Sequence, residues 1–324
     1  MTRRSTLLWI ALITFCAGQT AVAQTQVDPN LPKYKPQQGI SGTISSMGSD
    51  TMNNLMALWA KRFNDFYPNV KIEIEGKGSS TAPAALTEGR ATFGPMSRPM
   101  TKAEIDKFEK RHQYKPTQLG TSIDMLAVYV HNNNPILGLS FEDLDGIFSS
   151  TRKSGSADLR TWGQVGLGGN LAKERISLYG RSASSGTYGY FKEKALFKGD
   201  YRDSVQEQPG SAAVIQAVAN DPVGIGYSGV GFKNPGVRTV PISKDGGPFI
   251  APTLENVSKY PLTRFLLIGV NYNGKQLDPL QREFIKFIYS QEGQAEVVKD
   301  GYLPLSAVQA KRQLSLVKIT FEDY

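Results

Sequence analysis

From residue 40 to residue 100 the chain repeats one pattern: a strand-like segment, a loop of glycine and hydroxyl residues, then a stretch with helical spacing. Ile40–Met47 reads as a short strand leading into GSDTMNNL at Gly48–Leu55. Met52, Leu55, Met56, Trp59, Phe63 and Phe66 then recur at three- and four-residue spacing, which puts them on one helical face until Pro68 stops the run. Val70–Glu75 (VKIEIE) alternates as a strand does, and GKGSST at Gly76–Thr81 opens a second helix. Pro83 falls in that helix's first turn, where a missing N–H costs little. Phe93–Met100 (FGPMSRPM) reads as a third loop of small and turn-forming residues. This order argues for an α/β fold with a largely parallel sheet, whose ligands bind beyond the carboxyl ends of the strands.

The rest of the chain continues in the same style. MLAVYV at 125–130 and FLLIGV at 265–270 are apolar runs suited to buried strands. Phe141–Phe148, Ala157–Gly163, Ser211–Ala219 and Asp278–Tyr289 are expected to be helical, and Val223–Tyr227 (VGIGY) is expected to be a short strand. Ile176–Tyr179 is a strand feeding directly into GRSASSGTYGYF at Gly180–Phe191. There, small hydroxyl residues and glycine stand at the mouth of a helix beside Arg181. Free N–H groups, hydroxyl donors and the helix dipole suit an anion, and a guanidinium adds a planar fork for an oxyanion. An ordinary helix N-cap is the plainer reading of that segment alone.

Residues 1–23 stand apart. Arg3 and Arg4 precede an apolar run from Leu7 to Ala17, and Ala21-Val22-Ala23 supplies a small-residue cleavage pattern. A secretory signal peptide cleaved after Ala23 is expected, and the run is too short for a membrane span. The only cysteine, Cys16, lies within it and follows the bulky Phe15, which favours simple cleavage over lipidation. A mature chain without cysteine has no disulfide and no thiolate metal site. Losing Arg3 and Arg4 takes Lys+Arg from 37 to 35 against 29 acids, so the net charge falls from +8 to +6. That balance suits small anions. The basic residues are dispersed, without a stripe of interleaved aromatics, so no nucleic-acid partner is expected. Residues 24–38, with Pro29, Pro32 and Pro36, read as an extended and loosely attached leader.

The loops carry no evident catalytic equipment. GKGSST lacks the glycine spacing of a nucleotide phosphate loop, and Gly226-Tyr227-Ser228-Gly229 falls short of a nucleophile elbow. His112 and His131 have no paired ligand spacing. No catalytic residue, metal or cofactor is expected. The chain offers hydroxyls, amides and an arginine, which can hold an oxyanion but have no obvious means of transforming it.

In order, GSDT at Gly48–Thr51, GKGSST, FGPMSRPM, GRSASSGT at Gly180–Thr187 and VGIGY resemble the periplasmic phosphate-binding proteins of ABC transporters, over nearly the whole mature chain. The resemblance implies two α/β lobes, each a mixed and mainly parallel sheet flanked by helices, joined by two crossing strands and closing around phosphate. The lobes would be 39–125 plus 270–324, and 126–269, with the crossings near 125–130 and 265–270. It also implies a periplasmic monomer that delivers inorganic phosphate to inner-membrane permease subunits, with secretion beyond the periplasm left open. Carried over by position, the ligand residues are Ser49, Asp50 and Thr51 from the first loop and Ser79 from the second. Ser97 comes from the third loop, and Arg181, Ser185, Gly186 and Thr187 from the second lobe.

Two positions depart from the family. Ser97 stands where an aspartate accepts the ligand's proton, and Ala183 stands where an aspartate pairs with the arginine. Asp50, at a position that commonly holds a hydroxyl residue, restores the lost charge if it accepts that proton; the alternative is a helix cap. A carboxylate beside a dianion repels it unless the ligand keeps a proton, which selects phosphate over sulfate. Competing expectations are a receptor for sulfate, molybdate or tungstate, a phosphatase on the same scaffold, and an adhesion protein with a vestigial site.

Overall fold

The computed structural model describes residues 26–324 except Lys233, so the expected signal peptide and Cys16 lie outside the described residues. The first half runs β1 (Gly42–Met47), α1 (Asn53–Phe66), β2 (Val70–Glu75), α2 (Thr81–Glu88), β3 (Phe93–Met96), α3 (Lys102–His112) and β4 (Thr117–His131). Next come β5 (Leu139–Ser140), α4 (Phe141–Phe148), β6 (Ser177–Arg181), α5 (Gly186–Lys194), β7 (Gln206–Gln208) and α6 (Ser211–Ala219). Then follow β8 (Gly224–Gly229), β9 (Val237–Val240), β10 (Ile242–Ser243) and β11 (Thr263–Val270). The chain ends in three helices, α7 (Pro279–Ile288), α8 (Gln291–Lys299) and α9 (Ala307–Ser315).

Two lobes follow from how these strands pair. In the first, β2, β1 and β3 are parallel neighbours and β11 closes the sheet antiparallel to β3. In the second, β7, β6 and β8 are parallel, and β4 pairs antiparallel with both β8 and β9. β4 and β11 join the lobes: Thr117 to Met125 of β4 pair with β11, and Leu126 onward pairs with β8. The α/β class and the two crossing strands are as expected, although β4 is longer than the run MLAVYV: it pairs with β11 from Thr117 onward, through residues that are only partly apolar.

Each lobe has its own apolar core. Leu55, Met56, Trp59 and Phe63 form the buried face of α1, as their spacing predicts. Phe63 packs edge-on against Phe284 of α7, and the Trp59 indole donates to Gly293 O at 2.8 Å. In the second lobe Phe191 stacks on Tyr227 at 4.0 Å between centroids, with Phe148 edge-on to both.

Three local expectations are corrected. Phe93–Met96 is a fully buried strand, not the start of a loop. Ala157–Gly163 forms no helix: a bridge at Thr161 and turns replace it, with the amides of Arg160 and Thr161 donating to the Gln164 side chain. The leader has no regular structure, yet it is not loose. Leu31 and Tyr34 are buried in the first core, Gln291 N donates to Pro32 O at 2.9 Å, and Tyr34 Oη donates to Glu283 at 3.0 Å.

The lobes also meet beside the first turn of α1, where a side chain at Gly231 would come within 3.0 Å of Asp300 O. One Asp300 oxygen accepts from Asn54 of α1, and the other is buried without a partner. Burial pushes this carboxyl up from 3.8 to about 6.

Two predictions follow from this packing. Tyr34→Ala should cost about 3–5 kcal/mol, as other buried aromatic truncations do, read as a lower urea midpoint at unchanged slope. Asp300 binds its proton more tightly folded than unfolded, so its contribution is full below the unfolded value and is lost as pH rises through about 6. Asp300→Asn keeps an acceptor for Asn54 without the charge. It should raise the melting temperature by a few degrees at pH 7 and leave it unchanged at pH 4. Melting curves across that range check it.

Candidate functional site

Three helices begin at the cleft between the lobes. α1 follows β1, α2 follows the β2 loop, and α5 follows β6 through the Arg181 loop. Their first N–H groups have no intrahelical partners, and their dipoles place partial positive charge at the same place. Ser185 caps α5, its hydroxyl accepting from Thr187 N at 3.2 Å. Ser49 Oγ accepts from Met52 N at 3.3 Å where the chain enters α1.

All nine residues expected at the site meet here. Ser49, Thr51, Ser79, Ser97, Arg181, Ser185 and Thr187 are buried, although all carry polar side chains. The lobes close directly on one another. Thr51 Oγ1 lies 3.0 Å from Thr187 Oγ1, Ser80 N donates to Ser184 O at 3.1 Å, and Ser184 Oγ donates to Lys77 O at 2.9 Å. Gly186 must be glycine for this approach, because a Cβ there would lie 2.6 Å from Ser97 Oγ and closer still to Ser79 Oγ. Gly78 has φ of +113° and lies against the backbone of Ser184, so it needs glycine on both counts.

Asp50 takes a role that neither expectation described fully. Its Oδ1 accepts from Thr51 N at 2.9 Å, which is no cap of α1, and from Ser185 Oγ at 3.2 Å. Its Oδ2 pairs with Arg181 Nη2 across the cleft. Asp50 therefore supplies from the first lobe the counter-charge that Ala183 does not supply from the second. A carboxylate has about four acceptor positions, and the three contacts leave one unused.

The hydroxyls are arranged as donors. Ser79 Oγ accepts from Ser97 N at 3.0 Å and lies 3.3 Å from Ser97 Oγ. Thr187 Oγ1 accepts from Arg264 Nη2 at 2.9 Å and lies beside Thr51 Oγ1. In each pair one hydroxyl hydrogen lies between the oxygens and the other is free to donate elsewhere. Donors so arranged suit an oxyanion.

Four contributors escaped the sequence reading. Ser211 accepts from Arg181 Nη1 at 2.7 Å, and Tyr227 Oη accepts from Arg181 N at 3.3 Å. Burial pushes the Tyr227 hydroxyl well above its usual range, so it stays protonated and donates to Tyr201 at 2.9 Å. Arg264 and Asp124 form a buried pair beneath Thr187. The one available signal was a charged residue at the start of each crossing apolar run.

A family model described as a PBP superfamily domain matches residues 34–292. The phosphate-binding protein PstS of Pseudomonas aeruginosa is 49% identical over 312 residues, covering 94% of this chain and 97% of that protein. The chain belongs to the PstS-like family of periplasmic phosphate-binding proteins. The SphX protein of Synechocystis is 27% identical, covering 87% of this chain and 82% of that protein. Among solved structures, a Clostridium perfringens protein described as a phosphate ABC transporter substrate-binding protein, with bound phosphate, aligns with TM-score 0.69 at 26% identity. That alignment covers 82% of this chain and all of the other.

Members of the family are periplasmic substrate-binding proteins that serve ABC importers of phosphate or a related oxyanion, and they are not enzymes. Among the described residues no group of His, Cys, Asp and Glu could hold a metal ion. His112 Nε2 lies 3.0 Å from Thr87 O, and His131 Nδ1 accepts from Asn133 N at 3.1 Å, both outside the site.

Gly186→Ala should keep the lobes from closing and weaken oxyanion binding by about tenfold or more, since overpacking costs roughly 1–3 kcal/mol. Alanine is well tolerated at a helix start, so the ligand-free melting temperature should hold. Titration calorimetry beside a melting curve checks both.

Proposed function

We propose that the ligand is inorganic phosphate, captured in the periplasm by a monomer and handed to the inner-membrane subunits of an ABC importer. In this reading residues 1–23 are the cleaved signal, and lobes 39–125 plus 270–324 and 126–269 close about the crossing strands. Ser49, Asp50, Thr51, Ser79, Ser97, Arg181, Ser185, Gly186 and Thr187 form the ligand shell. The observation that carries the reading is Asp50, a carboxylate with one acceptor position free among otherwise donating groups. Hydrogen phosphate can fill that position with its remaining proton. Sulfate has no proton to give and would meet an unpaired charge, which costs about 1–3 kcal/mol or more. The bound-phosphate structure from Clostridium perfringens and the named PstS relative support the same ligand.

Titration of the wild-type chain with phosphate, sulfate and molybdate, with a phosphate-ester hydrolysis assay on the same sample, tests the assignment. Tightest binding of phosphate and no hydrolysis are expected; preference for another anion would overturn it. Asp50→Asn tests the cause. The amide fits the space but can turn an N–H toward sulfate, so repulsion becomes donation. Phosphate should lose the acceptor of its proton while any anion gains from the unbalanced Arg181, so the phosphate-to-sulfate preference should fall by about tenfold or more. A preference that does not move would return the acceptor role to Ser97 or a backbone carbonyl.

A further inference from the structure

Arg264 lies on β11 directly opposite Asp124 of β4, in the antiparallel pair that joins the lobes. The two side chains are almost wholly buried, and both Nε and Nη2 of Arg264 donate to Asp124 Oδ2, at 2.9 and 2.8 Å. The opposite edge of the guanidinium reaches into the cleft from beneath. Nη1 donates to Ser97 O at 2.9 Å, just past the end of β3 in the first lobe. Nη2 also donates to Thr187 Oγ1 at 2.9 Å, in the first turn of α5 in the second lobe. The guanidinium also lies over the Tyr190 ring of α5 at 5.3 Å, and Tyr190 Oη donates to Thr263 O at 2.9 Å. One cation thus touches the crossing strands, a loop of the first lobe and a helix start of the second at once.

Chemistry restricts what that cation can do. An arginine only donates, so Thr187 Oγ1 must accept from it. The hydrogens of the Thr187 and Thr51 hydroxyls are then directed away from Arg264, one between the two oxygens and one outward. The planar fork also needs Ser97 O and Thr187 Oγ1 at fixed separations from Asp124, and it meets both only when the lobes stand as they do here. A lysine in its place would carry the charge to Asp124 but could not reach three directions in one plane.

We infer that Arg264 is a positioning residue that staples the closed lobes to the crossing strands and holds Thr187 and Thr51 as donors, slowing release of the bound oxyanion. The inference rests on the reading of the cleft as an oxyanion site, and goes beyond it by naming a residue outside the ligand shell that sets residence time.

The test uses the mature chain, which is free of cysteine after residue 23. Fluorophores on Lys61→Cys and Glu193→Cys, exposed positions on α1 and α5, report lobe separation. Wild type, Arg264→Lys, Thr187→Val and the double variant are compared by phosphate titration and stopped-flow release. Arg264→Met with Asp124→Leu replaces the whole buried pair by apolar side chains, an exchange such sites often tolerate, and covers the case that Arg264→Lys fails to fold.

Arg264→Lys is expected to raise the phosphate dissociation rate about tenfold or more, with a smaller effect on association and little change in phosphate-to-sulfate preference. On the Thr187→Val background the same change should do clearly less, because the shared contact is already gone. Met/Leu should fold, close less completely at saturating phosphate and release it faster. A wild-type release rate in the folded variants would overturn the staple. So would effects of Arg264→Lys and Thr187→Val that simply multiply. If wild type binds sulfate or molybdate instead of phosphate, the phosphate reading falls, and the staple is judged by the same rates with the anion that binds.

Discussion

A guanidinium with no exposed surface must find its counter-charge inside the protein, and Arg181 finds it in the opposite lobe. Its backbone belongs to β6, and Ser211 accepts one of its N–H groups within the same lobe. The acid that balances it is Asp50, at the start of the helix-entry loop in the other lobe. Taking a charge out of water costs several kcal/mol unless it is paired and hydrogen-bonded. Charge balance at Arg181 is therefore complete only when the two lobes meet. Separation of the lobes exposes both groups to water, which solvates them, so the same pair is tolerable in either arrangement. What closure adds is dryness, and in a dry cleft each donor aimed at an anion counts for more than it would in water.

Much of this was legible because the site lies where regular elements change. The hydroxyl and glycine loops sit at strand-to-helix junctions, and the periodicity on either side located them within a residue or two. Pairings across long separations were not legible. Asp50 and Arg181 are 131 residues apart, and Arg264 and Asp124 are 140 apart, so no local pattern links them. Arg264 also hides in a run, TRFLLIGV, whose apolar remainder explains a buried strand without it. Phe93–Met96 misled for a physical reason: Gly94 and Pro95 are turn formers, but here they are buried between β1 and β11, where small size matters. A side chain on Gly94 would strike Leu86 of α2. The helices α3 and α9 bury few large apolar residues, and what announces them in the sequence is a capping box each, Thr101 with Glu104 and Ser306 with Gln309. The leader's prolines suggested looseness, while its anchors, Leu31 and Tyr34, are single apolar residues; Tyr34 packs on Phe66 and Tyr67 of the first helix region and on Phe287, and bonds to Glu283, 249 residues on.

The charges in and under the cleft cancel. Arg181 stands against Asp50, and Arg264 against Asp124. The mature chain's net charge of +6, which is the full sequence's +8 less Arg3 and Arg4, therefore resides elsewhere on the molecule. Excess positive charge at the surface can raise the encounter rate of an anion, an effect that salt screens. Retention must come from the helix starts, the polarised hydroxyl pairs and the arginine fork, which are buried and screened far less. Capture and retention thus draw on different parts of the sequence. A neutral cradle also explains why discrimination can rest on a single acceptor. With no surplus of positive charge to attract every anion strongly, one carboxylate position that only a protonated ligand can satisfy is enough to separate ligands of equal shape.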